Sequence, residues 1–344
     1  PSLSKTDQIA ALSTDHLAAL TAGQVAALRT DQINNLSSLQ LQSLSTNQIS
    51  AFTVSQIGAL TTDQTQLLLE SQVAALGATQ AHSLSTASID ALSTKQARAL
   101  NAGALNALDI TAMTTTNVAA LTTTQVQALS TNQLVLLSTD QVANLSTDHI
   151  SVMSKAQVAA FRTDQLNSLT SDALKHFSIS QVQALTTYQV AGLGTTQITR
   201  LSPSQLAALS TVQDQSLTTA QIAAVDTDQI SALRTESLNT IKVASLSTDA
   251  IQVLKTNQIS SLITTQVRLL GTDQIVALGE DQIRALTTAQ IGALKTEQLN
   301  SLETRDLVLL SAKQIGALTT YQVAGLTTTQ VAALTTAQVA VLST

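Results

Sequence analysis

The chain has no cysteine and no tryptophan; aromatic residues are 1% of it and charged residues 11%. The missing cysteine excludes disulfides and thiolate metal sites, and it agrees with an exported bacterial protein. Charge is scarce against a usual share of about 25%, and the net charge of -6 is spread without any block of one sign. Without a basic stripe, neither nucleic acid nor an anionic membrane surface is an expected partner. Ser, Thr or Gln interrupts every apolar run before it reaches the roughly 18 residues of a membrane span, so no membrane insertion is expected. No basic-then-apolar signal peptide opens the chain. The chain runs from Pro1-Ser2, with no initiator Met, to Ser343-Thr344 in mid-unit, and is expected to be a piece of a longer array.

What is present is Leu, Ala, Thr, Ser and Gln. With 44% apolar residues there is enough to bury, which excludes a disordered tract. The order is a tandem repeat of eight residues, L-[S/T]-T-[D/T/A]-Q-[I/V]-x-A. Its leading Leu recurs by eights from Leu12 to Leu108, slips by five to Met113, recurs by eights to Ile241, slips by five to Leu246 and recurs to Leu342. Phe52, Met153, Phe161, Phe177 and Val225 replace this Leu, and no polar residue does.

A second period lies above the first. The pentads 109–113 (DITAM) and 242–246 (KVASL) lie a whole number of octads plus one pentad apart, and the octads around them recur at the same interval. RTDQINNL (29–36) returns as RTDQLNSL (162–169) and KTEQLNSL (295–302). Duplication of a long block, complete once as 114–246, accounts for this. The chain therefore reads as one continuous solenoid, 1–344, in three partial copies, 1–113, 114–246 and 247–344. We further expect the block to measure one superhelical turn.

One long helix does not fit the octad, because at 100° per residue its apolar stripe rotates by about 80° with each unit. A short helix does. In Leu20-Thr21-Ala22-Gly23-Gln24-Val25, Thr21 is a helix N-cap and Gln24 the third helical residue (N3), the reciprocal capping box, while Leu20 and Val25 form the hydrophobic staple across it. Asp15, Asp31 and Asp140 fall at N2, where they suit the helix dipole. The fold class is therefore all-α: a solenoid of very short capped helices, one per octad, with a Leu/Ile/Val core and a Thr/Ser/Gln surface. Small Ala and Gly near the unit ends let backbones approach. The competing fold is a β-solenoid with Thr ladders, disfavoured by fixed Ala, Gln and Asp and by the lack of regular Gly.

The residues able to carry chemistry are few. His16 and His149 replace the capping-box Gln in equivalent units and read as cap substitutes; His82 and His176 read as surface residues. Thr65 and Asp214 stand where Ile or Val belongs, and we expect repair of each by a neighbouring hydroxyl or water. No metal motif, phosphate loop or nucleophile elbow occurs, so no catalytic, cofactor-binding or metal residue is assigned and the chain is not expected to be an enzyme. Tyr188 and Tyr321, both at N2 of equivalent octads in successive copies, are the candidate contact residues.

The unit L-T-T-x-Q-[V/I]-A-A-L, as in 318–342, resembles tandem tracts of large exported or surface proteins of Gram-negative bacteria, often labelled adhesion or haem-utilisation proteins. That resemblance implies a secreted or cell-surface setting and a stalk or adhesive role. No His or Tyr is clustered to ligate haem iron, so no cofactor is expected. The leading expectation is a non-catalytic scaffold or stalk that associates end to end with copies of itself. The alternative is a binding module for a protein or glycan surface, in which Tyr188, Tyr321, Phe161 and Phe177 would share one exposed face. Ice binding would require the β-solenoid.

Overall fold

The computed structural model describes residues 6–342, with side chains from residue 8 onward. Among the described residues there are 41 α-helices of four to six residues, two 3-10 turns and no strand. The chain is all-α, and the β-solenoid is not its fold. It forms two compact units, Pro1–Phe177 and Ser178–Thr344, and the same rules build each.

Each octad makes one helix in the predicted way. In the first compact unit, Ser45 caps the helix Thr46–Ser50. Its Oγ accepts the N–H of Gln48 at 3.3 Å, while Gln48 Oε1 accepts the N–H of Ser45 at 2.8 Å. In the second, Thr287 and Gln290 repeat the exchange at 3.2 and 2.8 Å. Where the N-cap is Leu69, Gly77 or Lys295, the Gln still accepts the cap N–H, and no cap side chain returns the bond. A helix then stops because the next two residues are extended, as at Leu129 (φ -61, ψ 130) and Ser130 (φ -69, ψ 155). No described residue has a positive φ, so these helices end without the left-handed glycine that commonly closes one.

Helices this short do not persist alone. Packing supplies what propensity cannot. In the first compact unit, Thr14–Ala18 packs on Ser38–Ser43, and Ser38–Ser43 on Thr62–Leu67; in the second, Thr264–Leu269 packs on Thr288–Ala293, and that on Ala312–Ile315. Each of these helices thus meets the one three octads along. The interior is the predicted pair of rows. The Ile/Val row includes Ile49, Val126, Ile230 and Ile283 at 0% exposure, and beside it run Leu44, Leu100, Leu233 and Leu286 at 6% or less. At roughly 2 kcal/mol for each fully buried side chain of this kind, the rows supply the main favourable term. Close backbone approach is also as predicted: a Cβ on Gly292 would lie 3.0 Å from the carbonyl oxygen of Ala317 in the next turn.

One expectation needs correction, and two features come from the structure alone. The glutamines are not surface residues: Gln48, Gln157, Gln221 and Gln290 are at most 4% exposed, because each spans the seam between two turns. The winding closes every three to four octads, a number that the octad pattern does not give. The pentads are shortened units. Ile110–Ala112 and Val243–Ser245 each form a 3-10 turn that takes a full helix place, with Ile110 and Val243 buried where an octad buries Ile or Val.

Candidate interaction surfaces

The seam between turns is made by the N3 glutamine. Gln48 Nε2 donates to the carbonyl oxygens of Leu17 and Leu20, both at 2.8 Å, 31 and 28 residues earlier. Gln282 does the same to Ile251 and Leu254 at 2.8 and 2.6 Å in the second compact unit. These carbonyls close the helix four places back, where the last C=O groups lack intrahelical partners. One amide therefore starts its own helix with Oε1 and ends another with both Nε2 hydrogens. Sequence reasoning found the first role only; the second leaves no local signature, because its partners are far back along the chain.

The pentads shorten this reach. Gln125 donates to Ala97 and Leu100, 28 and 25 residues back, and Gln258 to Ile230 and Leu233 at the same separations. Beside each pentad an asparagine joins in. Asn106 Nδ2 donates to Ala102 and Ala128, and its Oδ1 accepts the Ser130 N–H at 2.7 Å. Asn239, at the equivalent place beside the second pentad, bonds in the same way to Thr235, Ser261 and the Ile263 N–H. Having lost those cap N–H groups, the Oε1 atoms of Gln133 and Gln266 are buried without a hydrogen bond.

Polar residues at core positions find different solutions. Thr65 Oγ1 donates to the Thr61 carbonyl at 3.0 Å, so the partner is the backbone of its own helix and not the neighbouring hydroxyl or water expected. Asp214 is not repaired by a hydroxyl or water: both carboxylate oxygens are buried without a hydrogen bond, and only the charge of Arg234, whose Nη2 lies 3.6 Å away and donates to the Leu209 carbonyl, faces them. Burial pushes the Asp214 carboxyl above its ordinary value, against the pull of the Ser237 hydroxyl and Arg234. His149 fills the glutamine place as predicted. Its Nδ1 accepts the Ser146 N–H at 3.3 Å and its Nε2 meets the Leu121 carbonyl at 2.7 Å, a pattern that assigns the Nε2–H tautomer. His16 likewise accepts the Ser13 N–H. His82 and His176 are exposed.

Tyr188 and Tyr321 are 79% and 78% exposed, while Phe161 and Phe177 are buried in the Leu row and cannot join them on a binding face. Tyr321 overhangs a shallow groove with Arg268, Lys295 and Glu297. The Thr296 methyl on its lining packs against Gly325, where a Cβ would come within 2.4 Å of it. Most N1 and N2 residues are exposed, octad after octad, in both compact units. Among the described residues no three His, Asp or Glu side chains come together as a metal site, and no helix is long and apolar enough to cross a membrane.

Comparison with known families places the ALTTAQ repeat along this chain. The match falls on residues 5–38, 110–147, 118–155, 260–288, 281–304, 300–336 and 314–344, together just under half of the sequence. The chain is thus a tandem-repeat protein, similar over those stretches to the ALTTAQ repeat. No curated protein matches it.

Proposed function

We propose that this chain is a non-catalytic structural scaffold, a spacer segment of a larger secreted or surface-displayed bacterial protein. The observation that carries this reading is the glutamine seam. Each seam glutamine reaches only the unit four places before it in its own chain, so octads can be added or removed without redesigning the rest. The exported setting rests on the likeness of the repeat to surface-protein tracts. Its test is protease accessibility of the array on intact cells, and a chain found only inside them contradicts it.

The spacer role is tested by length. Deleting the octad 281–288, or duplicating it, is expected to leave a helical, cooperatively melting chain whose radius of gyration changes in step with the number of units. A chain that unfolds when one octad is removed contradicts the reading. A second reading, recognition of a protein or glycan surface, is favoured by Tyr321 over its groove. It gains if a glycan or peptide array gives binding that Tyr321→Ser abolishes.

A further inference from the structure

The groove under Tyr321 carries chemistry that the repeat does not require. It measures about 460 Å³, inside the roughly 300–1,000 Å³ of small-ligand sites. Tyr321 stands over it with 78% of its surface exposed. Tyr188, at the same octad place in mid-chain, is 79% exposed, so this exposure belongs to the place. Lys295 and Glu297 line the groove as an exposed ion pair at 3.5 Å. Arg268 lines it too, is exposed, and forms no ion pair among the described residues. Gly292 contributes no side chain to fill the space. A second groove, of about 430 Å³, occupies the same octad places around Lys255 and Thr256. There Asp281 stands in place of Tyr321, with Glu280 beside it, and Gln252 in place of Gly292. In the preceding copy the sequence has Val135 at the place of Arg268. The exposed ring and the unpaired guanidinium are therefore features of one groove.

We propose that this groove binds a carboxylated saccharide, with its sugar ring on Tyr321 and its carboxylate on Arg268. A tyrosine ring offers an apolar face to the C–H groups of a pyranose and a polar tip to its hydroxyls. The guanidinium fork matches a carboxylate with two parallel hydrogen bonds. Sugar hydroxyls both donate and accept, and the Lys295–Glu297 pair supplies a donor and an acceptor side by side. An acidic peptide fits this set less well. Its carboxylates would face Glu297 as well as Arg268, and among the described residues no strand offers an edge to an extended backbone. The acidic second groove repels the same ligand. This inference rests on the recognition reading and names the ligand class; the spacer role does not depend on it.

The test is NMR titration of the full chain with three probes: trigalacturonic acid, its fully methyl-esterified form and triglutamate. Trigalacturonic acid is expected to shift the backbone amides of Thr296 and Tyr321, and to do so less as salt is added. The ester, which keeps the sugar and loses the charge, should bind at least about tenfold more weakly. Arg268→Gln and Tyr321→Ser should each weaken the acid by a similar factor, while Tyr188→Ser leaves it unchanged. Ester and acid binding equally well overturns the proposal, and so does binding that Arg268→Gln leaves untouched. The comparison of acid with ester is made on the wild type, so it stands whether or not a variant folds. Triglutamate binding at these residues more tightly than the sugar overturns the ligand class and keeps the recognition reading. No shift with any probe at about 10 mM, where even a millimolar site would fill, overturns both.

Discussion

A turn built only of octads and a turn that contains a pentad bridge the same distance with different side chains. In an octad turn one glutamine does everything: Gln48 accepts the cap N–H of Ser45 and donates to Leu17 and Leu20. In a pentad turn the work is divided. Gln133 keeps its donations to Asn106 and Leu108, but the Ser130 N–H goes to Asn106, and the Gln133 oxygen is left buried and unpaired. The shortened unit brings a different backbone segment into reach, and the asparagine adjusts the fit. The element that persists is the helix place, with its buried apolar residue and capped carbonyls. The number of residues filling it is negotiable if a short amide side chain closes the gap. That the second pentad repeats the solution with Asn239 and Gln266 makes this a rule of the array.

The largest expected effect breaks the octad turn. Gln48→Leu removes a cap acceptor and two buried carbonyl partners, and should cost about 3 kcal/mol of local stability, read as lost hydrogen-exchange protection in both Thr14–Ala18 and Thr46–Ser50. Gln133→Leu should cost less, because its Oε1 has no bond to lose. Next come Asn106→Ala and Asn239→Ala, each expected to cost about 2 kcal/mol and to do so equally. A loss of protection confined to one of them would mean that the two pentad turns are not built alike.

Asp214→Val restores the repeat residue and should stabilise the chain by about 1 kcal/mol at neutral pH, since replacing a buried ion pair with packed apolar atoms is often favourable. The sign with pH follows from the raised carboxyl. Between its ordinary and its folded value the native state holds the extra proton, so wild-type stability falls as pH rises through that window. The advantage of the variant should therefore be widest at neutral pH and should close below the ordinary carboxyl range, as read from thermal melts across pH. The smallest effect is at the surface. Tyr188→Ser and Tyr321→Ser should leave stability within about 0.5 kcal/mol of wild type.

Much of the fold was legible in the sequence because its cause is local. Thr21 and Gln24 are close neighbours in the chain, and a capping box with its staple needs nothing beyond Leu20 to Val25. The two buried rows followed from the octad phase. The glutamine's second role, the number of units per turn and the place of the pentads depend on partners 25 to 31 residues away, which no local pattern encodes. The equivalent placing of Asn106 and Asn239 in successive copies was the only available hint of the pentad junction, and composition gave it no meaning. Asp214 was visible as an exception, but its partner Arg234 sits further along the chain at an ordinary-looking cap.

The central claim is that the N3 glutamines hold successive turns together. Hydrogen exchange of the glutamine side-chain amides, followed by NMR on glutamine-labelled protein, tests it most directly. Gln48, Gln157 and Gln290, whose Nε2 groups are bonded across the seam, should exchange at least about tenfold more slowly than Gln24, kept at concentrations where the chain is monomeric. Side-chain amides that all exchange at the rate of Gln24 would contradict the account.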